Sequence, residues 1–270
     1  MSFHSALDGR IEIGKLPDAL LARGVHAFTT QEAAEAAGIS PASARPALAR
    51  LIKNRLVFSP ARGLYIAIPP EYRSWGAVPA ASFVDALMAH LGRGYYVGYL
   101  SAAEVHGAAH QRPQIFQVVV DRELRDREFG RVRMRFVTNR NAGELPTVRV
   151  NTPTGTMAVS TPSLTALDLA TRPEIGAALH NVATVLIELI EDDKLDENAL
   201  VDLVELFPVA GSRRLGWLVE RFTDLRLNSL AAVLAEAARE PSLLDPSDPR
   251  RGPVDRRWQL RINATVEPDL

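Results

Sequence analysis

The N-terminal quarter of the chain alternates short apolar-periodic stretches with glycine stops. Leu16–Gly24 reads as a short helix ended by Gly24. In Phe28–Gly38, Thr29 and Glu32 form a capping box: the hydroxyl accepts from a free helix N–H and the carboxylate reaches back. The alanines that follow favour helix, and Gly38 ends it. Ile39 is expected to plug the gap between this helix and the next. Ser40 caps a third helix with Pro41 at its first position, and Leu48, Leu51 and Ile52 carry the spacing of a buried face. Pro46 removes one backbone bond inside that helix, so it either bends there or starts its regular part near Arg45. Leu56–Phe58 and Leu64–Ile68 then read as two strands joined by a turn over Ser59–Gly63. Two helices joined by a short Gly-containing turn, followed by a hairpin, predict a winged helix-turn-helix.

A composition shift at Trp75–Ala80 marks a boundary, giving domains 1–75 and 80–270. Ser82–Leu91 reads as an amphipathic helix, and Ser101 is expected to cap another running to His106. Ile115–Val120 is an apolar strand. Val132–Val137 alternates basic with apolar residues, one face buried and the other positive. Short strands follow at Val148–Val150 and Thr156–Val159, and Thr161-Pro162-Ser163 opens a helix through Ala170. Helices dominate from Glu174 to about Arg239, before a terminal strand over Trp258–Asn263. The predicted class is α+β: an N-terminal winged helix-turn-helix, then a larger mixed α/β domain with a helical C-terminal part.

Net charge is only −1, yet its distribution is uneven. From Ala36 to Pro70 there is no Asp or Glu, while Arg45, Arg50, Lys53, Arg55 and Arg62 fall in this stretch. From Glu188 to Glu205 the bias is acidic. A local basic stripe attracts phosphate whatever the distant charges do. Arg50, Lys53, Arg55 and Arg62 are therefore candidates for phosphates of duplex DNA, with Thr30 at the start of the second helix beside them. Ser43 and Arg45, early in the third helix, are candidates for base edges. A solvated basic face and a protein-interaction module are the competing accounts of the same segment.

The remaining chemistry is sparse. With no cysteine, disulfides, thiolate catalysis and cysteine-based zinc sites are ruled out. His106 and His110 stand four apart, but Gly107 occupies the place where a metalloprotease helix needs Glu, so they read as packing or capping histidines. Phosphate-loop glycine patterns are absent. Ser163 reads as a helix cap and Asp168 as a surface or core-edge acid. No metal, cofactor or catalytic residue is expected. Arg131, Arg133 and Arg135 share one face of a strand and form a candidate second basic surface, against the plainer reading of a salt-bridged hairpin. No apolar run approaches the ~20 residues that span a bilayer, and the N-terminus lacks signal-peptide character, so a soluble cytoplasmic protein is expected.

Phe28-Thr29-Thr30 through Gly63-Leu64-Tyr65, Leu100–Gly107, Gln117–Val120, Val159–Leu169 and Trp258–Asn263, in this order, resemble the AbiEi-type antitoxins of type IV toxin–antitoxin systems. The Arg-Gly-Leu-Tyr at 62–65 and the His-Gly at 106–107 carry most of the likeness. The resemblance implies a DNA-binding N-terminal domain that represses its own operon at promoter inverted repeats. It implies a C-terminal antitoxin domain that counters a nucleotidyltransferase-like toxin, often without a stable complex. The recognition helix carries over at Ser43, Arg45, Arg50 and Lys53 and the wing at Arg62, with no catalytic residues. Two other readings compete: a ligand-responsive winged-helix transcription regulator without a toxin partner, and an enzyme such as a nuclease.

Overall fold

A computed structural model describes residues 10–109, 113–237 and 240–269. It is a mixed α+β protein. The chain runs α1 (Leu16–Leu21), β1 (Ala27–Thr29), α2 (Thr30–Ala37), α3 (Pro41–Lys53), β2 (Val57–Ala61), β3 (Leu64–Ala67) and α4 (Val84–Leu91). It continues with β4 (Tyr95–Val97), α5 (Tyr99–Val105), β5 (Phe116–Val120), β6 (Arg127–Phe129), β7 (Val132–Thr138), β8 (Thr147–Thr152) and β9 (Gly155–Ser160). Then come α6 (Pro162–Thr171), α7 (Ala178–Glu191), α8 (Glu197–Leu203), α9 (Val209–Phe222) and α10 (Asn228–Ala235), followed by β10 (Ser242–Leu243), β11 (Val254–Asp255) and β12 (Leu260–Arg261). Two compact units divide the chain. The first holds residues 1–95, 120–143 and 149–158, and the second holds 96–119, 144–148 and 159–270. The first thus extends past residue 75.

In the first unit, local sequence sets the helix ends. Thr29 N donates to Glu32 Oε2 at 2.7 Å and Glu32 N to Thr29 Oγ1 at 3.2 Å, completing the capping box of α2. Gly38 takes φ 66° at its C-terminus, a conformation that glycine adopts without penalty. Ser40 caps α3 by accepting from Ser43 N. The helix runs without interruption from Pro41 through Pro46 to Lys53. Ala44, Leu48 and Leu51 pack into a core with Ile13, Leu16, Leu20, Phe28 and Val57. Each fully buried leucine there contributes roughly 1.5–3 kcal/mol. Ile39 and Ile52 do not join it, being 43% and 41% exposed. An apolar residue is buried only where other elements cover it, and the described residues cover these two only in part.

A strand the sequence pattern missed, β1, pairs antiparallel with β3 from Ala27↔Ile66 to Thr29↔Leu64. β2 reaches Ala61, further than expected, and shifts register after Phe58, so the hairpin turn narrows to Arg62-Gly63. Phe58, Phe83 and Phe129 form a ring cluster with centroids 5.1–5.8 Å apart. That cluster brings the β6–β7 hairpin onto β2 and α4. Residues 75–80 are no open linker: Ala77, Val78 and Ala80 are buried, and Trp75 O accepts from Arg131 N.

In the second unit β4 lies between β5 and β9 and runs parallel to β9. The helix after β4 starts at Tyr99, before Ser101, and Tyr99 itself has a positive φ of 53°. Ser101 instead donates and accepts inside the core, with Gln117 N reaching its hydroxyl at 2.9 Å. Thr161, not Ser163, caps α6. The expected terminal strand contracts to β12, which pairs parallel with β10 and antiparallel with β11.

Arg214 on α9 is only 2% exposed. Its Nε donates to Leu244 O at 2.5 Å and its Nη2 to Leu243 O at 3.0 Å, while Nη1 donates to Ala170 O and Thr171 O. One guanidinium thus serves the last turn of α6, whose carbonyls lack helical donors, and the segment carrying β10. Burial lowers its pKa to about 10, so it stays charged at neutral pH. Arg214→Met should cost about 3–5 kcal/mol, because the buried carbonyls lose their donor. Urea unfolding followed by circular dichroism checks this, and a loss below about 1 kcal/mol would show that other donors replace the guanidinium.

Candidate nucleic-acid interface

The cations expected to meet DNA all lie in the first unit. Arg45, Arg50 and Lys53 are exposed on α3, Arg55 follows its end, and Arg62 is exposed in the β2–β3 turn. None of the five has a carboxylate within ion-pair distance among the described residues. On α3 they spread over a broad side rather than a narrow stripe. At ~100° per residue, Arg50 and Lys53 are about 60° apart, whereas Arg45 and Arg50 are about 140° apart. Arg45 and Arg50 therefore flank the exposed side of α3 and Lys53 lies between them.

Ser43 is exposed, but its Oγ sits 2.8 Å from Ser40 Oγ within the cap. Thr30 is half-buried, and its backbone N donates to Gly63 O at 2.9 Å. The Arg62 carbonyl accepts from His90 Nε2 at 3.1 Å, so α4 braces the same turn. Gly63 has φ 82°, and the turn needs a residue tolerant of that conformation. Arg55 holds φ 55° without being glycine. Its backbone N closes the helix end by donating to Ile52 O.

The second basic surface is partly neutralised where it stands. Arg135 Nε lies 3.7 Å from Asp126 Oδ2, and Arg133 faces Glu128 across the β6–β7 register. Arg127 turns inward to donate to Pro60 O. Arg131 and Arg133 remain exposed.

A polar cluster in the second unit went unrecognised in the sequence. Asp168, expected at the surface or core edge, is 2% exposed. Tyr96 Oη donates to its Oδ1 at 3.2 Å, and its Oδ2 has no hydrogen-bond partner among the described residues. Burial, opposed only by that hydrogen bond, pushes its pKa up to about 8, and burial raises those of Tyr96 and Tyr99 as well. Nothing in the stretch Leu167-Asp168-Leu169 announces this, because Tyr96 is 72 residues away.

Of the histidines, His106 donates from Nε2 to Ser160 O at 2.7 Å, and Lys194 Nζ donates to the His106 carbonyl. Burial lowers the His106 pKa. His110 lies outside the described residues. No group of three potential metal ligands occurs among the described residues. Ser163 exchanges hydrogen bonds with the backbone of Asp196, which caps α8. Within the acidic stretch, Asp192 pairs with Lys194 and Glu197 accepts from Leu230 N. No described helix is long and apolar enough to cross a membrane.

Against known proteins, residues 96–221 match the family described as the AbiEi antitoxin C-terminal domain. The match covers a little under half of the chain, and over this stretch the resemblance to AbiEi-type antitoxins holds. No curated protein matches. Among solved structures, the RV2827C protein from Mycobacterium tuberculosis shares the fold with a TM-score of 0.65. Its sequence is 17% identical, and the alignment covers 94% of this chain and 92% of that one.

Asp168 generates a pH prediction. Between the ordinary aspartate value of 3.8 and about 8, the folded protein keeps this carboxyl protonated while the unfolded chain ionises it. Its contribution to stability therefore falls as pH rises through that window and levels off above it. Asp168→Asn removes this dependence. Relative to wild type, the variant should gain more than about 1.4 kcal/mol between pH 5 and pH 8, the equivalent of one pK unit. Unfolding free energies from urea titrations at both pH values provide the measurement. Parallel pH profiles for the two proteins would contradict it.

Proposed function

We propose that this protein is the antitoxin of a type IV toxin–antitoxin system and the repressor of its own operon. Residues 80–270 neutralise a nucleotidyltransferase-like toxin without a lasting complex and without catalysis of their own. Residues 1–75 act as a winged helix-turn-helix on the inverted repeats of the promoter, and the protein works in the cytoplasm. The observation that carries the antitoxin half is the AbiEi domain match over 96–221.

The DNA half rests on chemistry. α3 follows α2 after a turn of three residues, Gly38–Ser40, and the β2–β3 hairpin follows α3 directly, the order of a recognition helix and its wing. The stretch from Ala36 to Pro70 holds five cations and no acid, and those cations point to solvent. Arg50, Lys53, Arg55 and Arg62 neutralise phosphates, while Arg45 and Ser43 approach base edges from the first turns of α3. Thr30 contributes from the start of α2, where its backbone anchors the wing. Arg131 and Arg133 extend the positive surface to a lesser degree, because Glu128 faces Arg133 across the β6–β7 pair, and Arg135 contributes least because Asp126 pairs with it.

Replacing Arg50 and Lys53 together by alanine should weaken binding to a duplex of the protein's own promoter. It should also flatten the plot of log affinity against log salt by about two units. Mobility-shift titrations at several salt concentrations supply the comparison, and unchanged binding would remove α3 from the interface. In cells expressing the neighbouring toxin gene, the same variant should still rescue growth, because antitoxicity resides elsewhere in the chain. Loss of rescue with the protein folded and abundant would contradict that separation.

A further inference from the structure

The first unit contains an open cleft of about 690 Å3 between residues 10–14 and α3. Arg10, Glu12, Ile39, Ser43, Arg50 and Asn54 are among the residues that line it. Two of these, Ser43 and Arg50, also belong to the exposed side of α3. Backbone pairing fixes the cleft's other wall, since Ile11 N donates to Ala36 O at 2.9 Å and so ties the segment to the end of α2. Arg10 lies over the α2–α3 turn. Its guanidinium occupies the space left by the missing side chain of Gly38, where a Cβ would come within 2.7 Å of Arg10 Cζ.

We infer that Arg10 and Arg50 together hold one phosphodiester of duplex DNA in this cleft, with the Asn54 amide as a further donor. The inference rests on the DNA-binding reading proposed above and adds a residue outside the basic stretch from 36 to 70. Charge complementarity is its main support. A guanidinium matches two phosphate oxygens with a planar fork, and amide side chains commonly add a bond to the same group. Arg10 and Arg50 are both exposed, with no carboxylate within ion-pair distance among the described residues. Glu12 is the carboxylate that lines the cleft, and it sits 4.0 Å from Lys15. The two arginines reach the cleft from segments 40 residues apart, so a phosphate bound there also fastens residues 10–14 to α3.

The test uses the full-length protein and a duplex of its own promoter. Arg10→Ala should weaken binding about five- to tenfold near 100 mM salt and reduce the salt slope by about 0.9. Glu12→Gln should tighten it about twofold, because it removes the negative charge that the described residues lining the cleft contribute. Neutral methylphosphonate, placed at one backbone position at a time, should reveal a phosphate whose loss weakens the wild type and leaves Arg10→Ala unaffected. If Arg10→Ala binds like wild type while Arg50→Ala does not, the inference fails and the DNA reading stands. If neither wild type nor variants bind the promoter, both fail. A third arm measures melting temperature in inorganic phosphate against chloride at matched ionic strength. Stabilisation by phosphate that Arg10→Ala abolishes, with promoter affinity unchanged, would make the cleft a free-anion site and overturn the assignment to DNA.

Discussion

The backbone bond from Thr30 N to the Gly63 carbonyl joins the start of α2 to the turn of the β2–β3 hairpin. The orientation of the N-terminal cations depends on it. On one side, the Thr29–Glu32 capping box holds the helix end in place. On the other, Gly63 supplies a positive φ and β1 pairs with β3 through Thr29↔Leu64. Phe28 stacks on Tyr65 with centroids 5.7 Å apart, adding side-chain contact to the same junction. With helix and hairpin locked together, the exposed side of α3 and the Arg62 turn belong to one rigid surface. A ligand meeting both has less conformational freedom to remove on binding.

The second unit is organised around polar groups in its interior. Arg214 feeds carbonyls of two segments, Asp168 takes a proton to remain buried, and the Gln117 side chain accepts from Leu100 N while donating to Ile175 O. Each interaction links segments distant in sequence. Buried polar groups of this kind are costly when unpaired, so alternative packings of the same helices that break these pairs are penalised. The second unit thereby specifies its arrangement through hydrogen bonding as well as through apolar contact.

What could be read from the chain follows the range of the interactions involved. The capping box, the glycine stop at Gly38 and the alternation over β7 are encoded within a few residues, and all appear as expected. β1 was missed because three residues become a strand only by pairing with β3, nearly forty residues on. Ile39 and Ile52 were misplaced for a related reason: periodicity marks a face and says nothing of whether another element covers it. The candidate cations on α3 were legible as a run without acids. Arg10 was not, because only the folded chain brings it over Gly38, and the burial of Asp168 likewise depends on residues far away in sequence.

Arg55 occupies a left-handed backbone position at the end of α3. There an L-residue with a side chain incurs a conformational cost that glycine avoids, roughly 1–2 kcal/mol. Selection for stability alone would drift this site towards glycine. A lineage in which position 55 stays basic is retaining charge against that drift. The residue thus works as an evolutionary indicator, separating lineages in which the proposed DNA contact is under selection from those that have kept only the fold.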